Sequence, residues 1–202
     1  MIKLYRDRTS ATAPVESVPV PPASLAARAF ATTHYADAFR LRLPDGAPDD
    51  IDALVSLLAT SSPAWVDALM TLRNRIVWTI GLRTPRGRVF GDPPAAAARR
   101  YERGDSAGIF RVYARTGDEI LMGGDDRHLD FRASMIVQRD AKGVYAVLST
   151  VVHYNNLLGR LYFVPVRPFH RMIIPAVLRR MHARLAEGAG LGAQSSGGRA
   201  LD

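Results

Sequence analysis

Three short stretches between Gly123 and Arg171 hold most of the residues able to do chemistry. In the run Asp126-Arg127-His128-Leu129-Asp130-Phe131-Arg132, charged or ionisable side chains alternate with others. A second group is His153-Tyr154-Asn155-Asn156-Leu157-Leu158-Gly159-Arg160, and a third is Arg167-Pro168-Phe169-His170-Arg171. A histidine beside a carboxylate transfers protons near neutral pH, so His128 with Asp126 or Asp130 is the candidate acid–base pair. Asn155 or Asn156 offers an amide donor, and Arg160 a planar fork for an anion.

An extended strand sends successive side chains to opposite faces, which puts Asp126, His128, Asp130 and Arg132 on one face. The odd positions Leu129, Phe131, Ala133, Met135 and Val137 are apolar and belong to a core. Asp130 and Arg132 then lie on the wetter face, where they can pair as ions at little energetic gain. A site requires instead that this charged face border a polar pocket. Both readings stay open.

The other chemistries are bounded by what the chain contains. It has no cysteine, which excludes disulfides, thiolate nucleophiles and cysteine-ligated zinc. The five histidines, His34, His128, His153, His170 and His182, form no close ligand spacing. A metal gathered from His128, Asp130 and His153 is conceivable, but no metal is expected. Nucleophile elbows and phosphate-binding glycine loops are missing as well, so no cofactor is expected. The net charge of +8 is almost all arginine and is scattered, since Lys3 and Lys142 are the only lysines. Without a nucleic-acid motif such charge gives only non-specific attraction, and no nucleic-acid partner is expected. No stretch nears the roughly 20 apolar residues of a spanning helix, and the N-terminus lacks a secretory apolar core. A cytoplasmic protein with no membrane partner is the expectation.

Residues 1–24 read as an extended N-terminal arm, with Pro19, Pro21 and Pro22 opposing a regular ladder or helix. A single domain over 25–187 and a flexible glycine- and serine-rich tail over 188–202 follow. Within the domain a short helix over 25–30 precedes a strand over 38–43. Ile51, Leu54, Val55 and Leu58 mark one helix; Trp65, Leu69, Leu72, Ile76 and Ile80 mark a second, which also carries Arg73 and Asn74. Residues 84–107 read as loop, with a brief helical piece at 95–100. Period two then sets in, with strands at 109–114, 119–123, 128–139 and 143–154, and a final strand at 161–166. Pro168 opens the last helix, whose stripe is Ile174, Val177, Met181 and Leu185, with Pro175 inside it. That stripe belongs to the core rather than to a membrane. Helices segregated from local antiparallel strands make an α+β protein, its curved sheet wrapped around a long C-terminal helix.

The motifs His128-Leu129-Asp130-Phe131-Arg132, residues 156–163 and Val166-Arg167-Pro168-Phe169-His170 resemble a bacterial family of uncharacterised proteins, domain of unknown function family 2867. Residues 34–39, Trp65-Val66 and Leu72-Arg73-Asn74 extend the likeness to about 20–185. The resemblance implies a helix-grip fold of the START and Bet v 1 class, and it supplies no reaction. The family also occurs behind dehydrogenase-like domains, but no Gly-x-Gly-x-x-Gly element precedes it here.

The leading expectation is a protein that binds a small apolar or amphipathic ligand between sheet and terminal helix. Trp65, Leu69, Phe131, Met135, Phe169 and Ile173 would line the site, and Arg73, His128, Asn155 and Arg160 would orient polar groups. Arg73 would need a carboxylate, and Asp130 is the candidate. One alternative is an acid–base enzyme of cyclase or hydratase type using His128 with Asp130. Another is a non-catalytic module that forms a homodimer or docks on a dehydrogenase. A dry His128 favours binding, whereas convergence of His128, Asp130 and Arg132 favours an enzyme. A filled core with a flat apolar patch on the sheet favours an interface.

Overall fold

Seven antiparallel strands form one open, curved sheet: β1 (Val15–Val18), β2 (Tyr35–Arg42), β3 (Ser106–Ala107), β4 (Phe110–Arg115), β5 (Glu119–Asp125), β6 (Leu129–Asp140) and β7 (Gly143–Tyr154). Two helices, α1 (Ile51–Ala59) and the long α2 (Leu157–Ser196), join the sheet in an α+β arrangement, and among the described residues 64–66, 68, 69 and 71 are helical as well. The computed structural model describes residues 15–66, 68, 69, 71, 100–108 and 110–196. Most of the helix expected over 65–80, with Arg73, and the helical piece expected at 95–100 lie outside the described residues.

The spatial order β1-β2-β7-β6-β5-β4-β3 pairs the second strand with the last, Tyr35 opposite Val152 and Leu41 opposite Ala146. Local hairpins set the rest. Gly143, at φ +139°, closes the tight turn between β6 and β7, a backbone state that other residues rarely adopt. A bulge between Val112 and Ala114 bends β4 at the sheet's far side. The N-terminal arm contributes β1, an edge strand that ends before Pro19.

Register decides which face each residue joins. Phe39, Leu41, Leu148, Ala146, Met135, Val137, Ile120 and Met122 fall on the inner face, where α1 and the C-terminal half of α2 cover them. Val177, Met181 and Leu185 of the sequence stripe are buried in this core together with Ile173, while Ile174, the stripe's first residue, is only partly buried against it. Asp50 caps α1 by accepting from the Ala53 N–H at 2.9 Å. A buried pair fixes α1 to the sheet, with Arg115 spanning both Asp52 oxygens at 3.2 and 3.1 Å. The Tyr101 N–H donates to the same carboxylate at 2.7 Å. The outer face is covered by the segment before β2, where Ala26 packs on Leu121 and Val151. Glu119, buried under that segment, accepts the Leu25 N–H on both oxygens and the Ser134 hydroxyl.

Short strands β1 and β3 stand where the sequence suggests an arm and a loop, and the last helix departs furthest from the expectation. Residues 161–166 are not a strand, and the last helix does not open at Pro168; α2 runs unbroken from Leu157, through Pro165, Pro168 and Pro175. It continues to Ser196, into the stretch whose composition suggested a tail. The β-branched and aromatic run there favours a strand locally, but Asn156 caps the helix by accepting the Gly159 N–H at 3.1 Å. Prolines 165 and 168 are exposed, so the carbonyls they leave unpaired face water, which limits the cost.

Gly159 is where the helix meets the sheet without spare space: a β-carbon there would stand 1.8 Å from the His128 carbonyl oxygen. Gly159→Ala is therefore expected to cost about 2–3 kcal/mol through a backbone clash. Gly188→Ala, in open space on the same helix, should add about 0.5–1 kcal/mol. Urea-denaturation midpoints of the two variants, moving in opposite directions, check the assignment.

Candidate functional site

Strand β2 carries an anomaly on its inner face. Tyr35, Asp37, Phe39 and Leu41 point the same way, so a carboxylate sits in an apolar row. Asp37 is buried, its side chain 5% exposed. Its Oδ2 accepts from the Tyr35 hydroxyl and from His170 Nδ1, the latter at 3.1 Å, while Oδ1 has no hydrogen-bond partner among the described residues. Burial, and next the hydrogen bond and charge of Asp37, push the Tyr35 phenol well above its ordinary value. The guanidinium groups of Arg171 and Arg167 oppose that shift, and Arg167 lies 5.6 Å from the Tyr35 ring centre.

The surroundings form a seam. Asp37 faces Thr150, and Thr150 faces Ala133, making one short or polar row across three strands. Below it lies the main core. Above it lies a smaller cluster of Tyr35, Leu129, Val152 and Phe163, with Phe131, Tyr154, Tyr162 and Val166 packed on it. Ala133 and Phe131 are only partly buried although β6 lies inside the sheet. His170 reaches the seam from α2. Its Nδ1–H is committed to Asp37, so Nε2 is the nitrogen left for proton transfer or for binding.

The expected cluster around His128 is organised differently. His128 is buried, meets Tyr162 edge-on at 4.8 Å, and has no hydrogen-bond partner for either ring nitrogen among the described residues. Asp126 Oδ1 stands 3.4 Å from its Nδ1. Asp130 instead accepts from the Asp126 N–H and from Asn155 Nδ2, both at 3.1 Å. Asn155 Nδ2 also donates to the Asp126 carbonyl at 2.7 Å, and Asn156 Nδ2 to the Arg127 carbonyl at 2.8 Å. These residues clasp the turn before β6 to the start of α2.

Arg132 does not pair with Asp130. It faces outward, bonds Asp125 at 2.7 Å and lies 3.5 Å over the Tyr113 ring. Among the expected lining residues, Phe131, Met135 and Ile173 are on the inner face, but Trp65 and Phe169 stand at the surface, 45% and 44% exposed. The unbroken helix explains Phe169, because its phase turns Phe163, His170 and Ile173 inward instead. Arg160 is exposed, and Arg73 lies outside the described residues. Tyr35 and Asp37 are not among the residues that the sequence marks as a site, and His170 stands there only as a member of the third polar group. Carrying the period-two alternation of 38–43 back to Tyr35 puts Asp37 in line with Phe39 and Leu41, and a charge on a core face is the signal that marks the site.

A curved antiparallel sheet packed against a long C-terminal helix sets the class of this protein by its fold. A family model, protein of unknown function (DUF2867), matches residues 29–177. The chain belongs to that family. No curated protein matches it in sequence.

The clasp yields one test. Asn155→Ala and Asp130→Ala should each cost about 1 kcal/mol. Their double mutant should cost less than the sum, because one hydrogen bond joins them. Denaturation of the four proteins measures the coupling. The site yields another. The folded state holds the Tyr35 proton above the unfolded value near 10.0, so this contribution is complete below that pH and drains as pH rises past it. Tyr35→Phe should be less stable at neutral pH yet lose stability less steeply above pH 10.0. Thermal melts across that range give the two slopes.

Proposed function

We propose that the protein binds a small, largely apolar molecule carrying a hydrogen-bond donor, held between the sheet and the N-terminal half of α2. The observation that carries this reading is the buried Asp37 carboxylate, which has one oxygen unpartnered beside a row of small residues. A buried charge is costly unless its hydrogen-bonding capacity is used, and a ligand hydroxyl or N–H would use the remaining oxygen. Phe131, Val152 and Phe163 would take the apolar body. The dry surroundings of His128 favour the same reading over an enzyme centred on His128 and Asp130.

One observation favours a second reading, an acid–base enzyme using this site. Asp37 fixes the tautomer and orientation of His170, the way a carboxylate prepares a histidine base for proton transfer. In that case His170→Gln would keep the ligand and lose its conversion.

Native mass spectrometry of the full chain from its own organism tests the proposal. A co-purifying small molecule is expected, released on denaturation. Asp37→Asn should weaken its retention about tenfold or more, as loss of a charged hydrogen bond does. Asp130→Asn, outside the seam, should retain it. A wild-type protein that carries no small molecule, or retention indifferent to Asp37→Asn, overturns the reading.

A further inference from the structure

The N-terminal half of α2 has a second apolar stripe, on the side facing away from the sheet. Phe163, His170 and Ile173 turn inward. Leu157, Leu161, Val164 and Met172, at four-, three- and eight-residue steps, fall on the opposite side with Pro168 between them. Leu158 and Phe169 flank this line. The six large side chains are each between 44% and 69% exposed. This is a different stripe from Ile174, Val177, Met181 and Leu185, which the core consumes. Scattered exposed leucines need no explanation, but six along four turns of one helix do.

Charge tells which occupant fits. Arg160, Arg167 and Arg171, at seven- and four-residue steps, form an exposed row along one flank of the stripe. Their charge reaches Tyr154 and Tyr35 at the sheet's rim. No acidic residue occurs from 157 to 186, and the chain carries +8. A second copy paired symmetrically on the stripe would set arginine row against arginine row, which costs energy. A convex apolar line with a cationic border suits a surface that yields to inserted side chains and presents negative charge. Among the described residues no helix is long and apolar enough to cross a bilayer, so contact would be along the surface.

We propose that the outer face of α2 over residues 157–172 docks on an anionic phospholipid surface. Leu157, Leu161, Val164 and Met172 enter the headgroup boundary, and Arg160, Arg167 and Arg171 meet the phosphates. The proposal is independent of the Asp37 site.

Co-sedimentation of the full chain with vesicles of phosphatidylcholine, alone or mixed with phosphatidylglycerol, tests it. Binding to the mixed vesicles is expected, with little to phosphatidylcholine alone and weakening as salt rises. Leu161→Glu with Val164→Glu should reduce binding about tenfold or more while leaving the melting temperature unchanged, since both residues are exposed. If that pair disturbs folding, Leu157→Gln with Met172→Gln gives the same readout. Replacing the three arginines by glutamine should remove the preference for phosphatidylglycerol. Wild-type protein that ignores the anionic vesicles overturns the proposal, even if an acidic protein or a second copy takes the stripe. Binding that survives the apolar substitutions also overturns it, since net charge alone would then be the cause.

Discussion

The contact between Gly159 and the His128 carbonyl sets the position of everything carried by α2. Backbone meets backbone there, with no side chain to adjust, and amides on both sides of the junction tie it down. Asn156 caps the helix while its own amide group holds the Arg127 carbonyl, so one residue fixes both the start of α2 and its docking. A helix is stiff, and once its first turn is seated its later residues have fixed places. His170 follows eleven residues after Gly159, roughly 16 Å along the axis, and arrives over Asp37. The polar clasp and the Tyr35–Asp37–His170 group of this chain are thus parts of one mechanical arrangement.

Energetics separates those two parts. The clasp residues bond backbone groups at a partly exposed junction and gain the modest stability such bonds give. Asp37 is a liability, since taking a carboxylate out of water costs several kcal/mol that one tyrosine and one histidine offset only in part. An apolar residue at that place would join the two hydrophobic clusters into one. Core packing alone gives no reason to keep a carboxylate there, which is why the seam and not the clasp supports a function.

The sequence made the fold largely legible because period-two alternation and turn residues mark β4 to β7, and the apolar stripe marks the end of α2. The start of α2 was hidden. Leu161 to Val166 has strand-like composition and a proline, and helix wins through a cap and through burial of Phe163 and Gly159, neither visible in local propensity. The inward face of β6 was read correctly from Leu129, Phe131, Ala133, Met135 and Val137. The triad was harder to see, because its members come from opposite ends of the chain and the last was placed at a helix start. Pairing Asp130 with Arg132 from sequence proximity failed for the converse reason: Asp125 on the neighbouring strand lies nearer the guanidinium.

The pairing of β2 with β7 has a consequence for the protein's birth. His170 meets Asp37 across 133 positions of chain, and β2 finds its neighbour only when β7 has been synthesised. Until then a nascent chain leaves the ribosome with β2 carrying one open edge and an apolar face uncovered, the condition in which strands seek wrong partners. The hairpins from β4 to β7 can form as they emerge, while closure waits on a long loop and is correspondingly slow. The segment before β2, pinned to Glu119, waits for the same event. Assembly of this domain is therefore expected to be late and abrupt, completed only once β7 and α2 have emerged rather than built up from β1 onward.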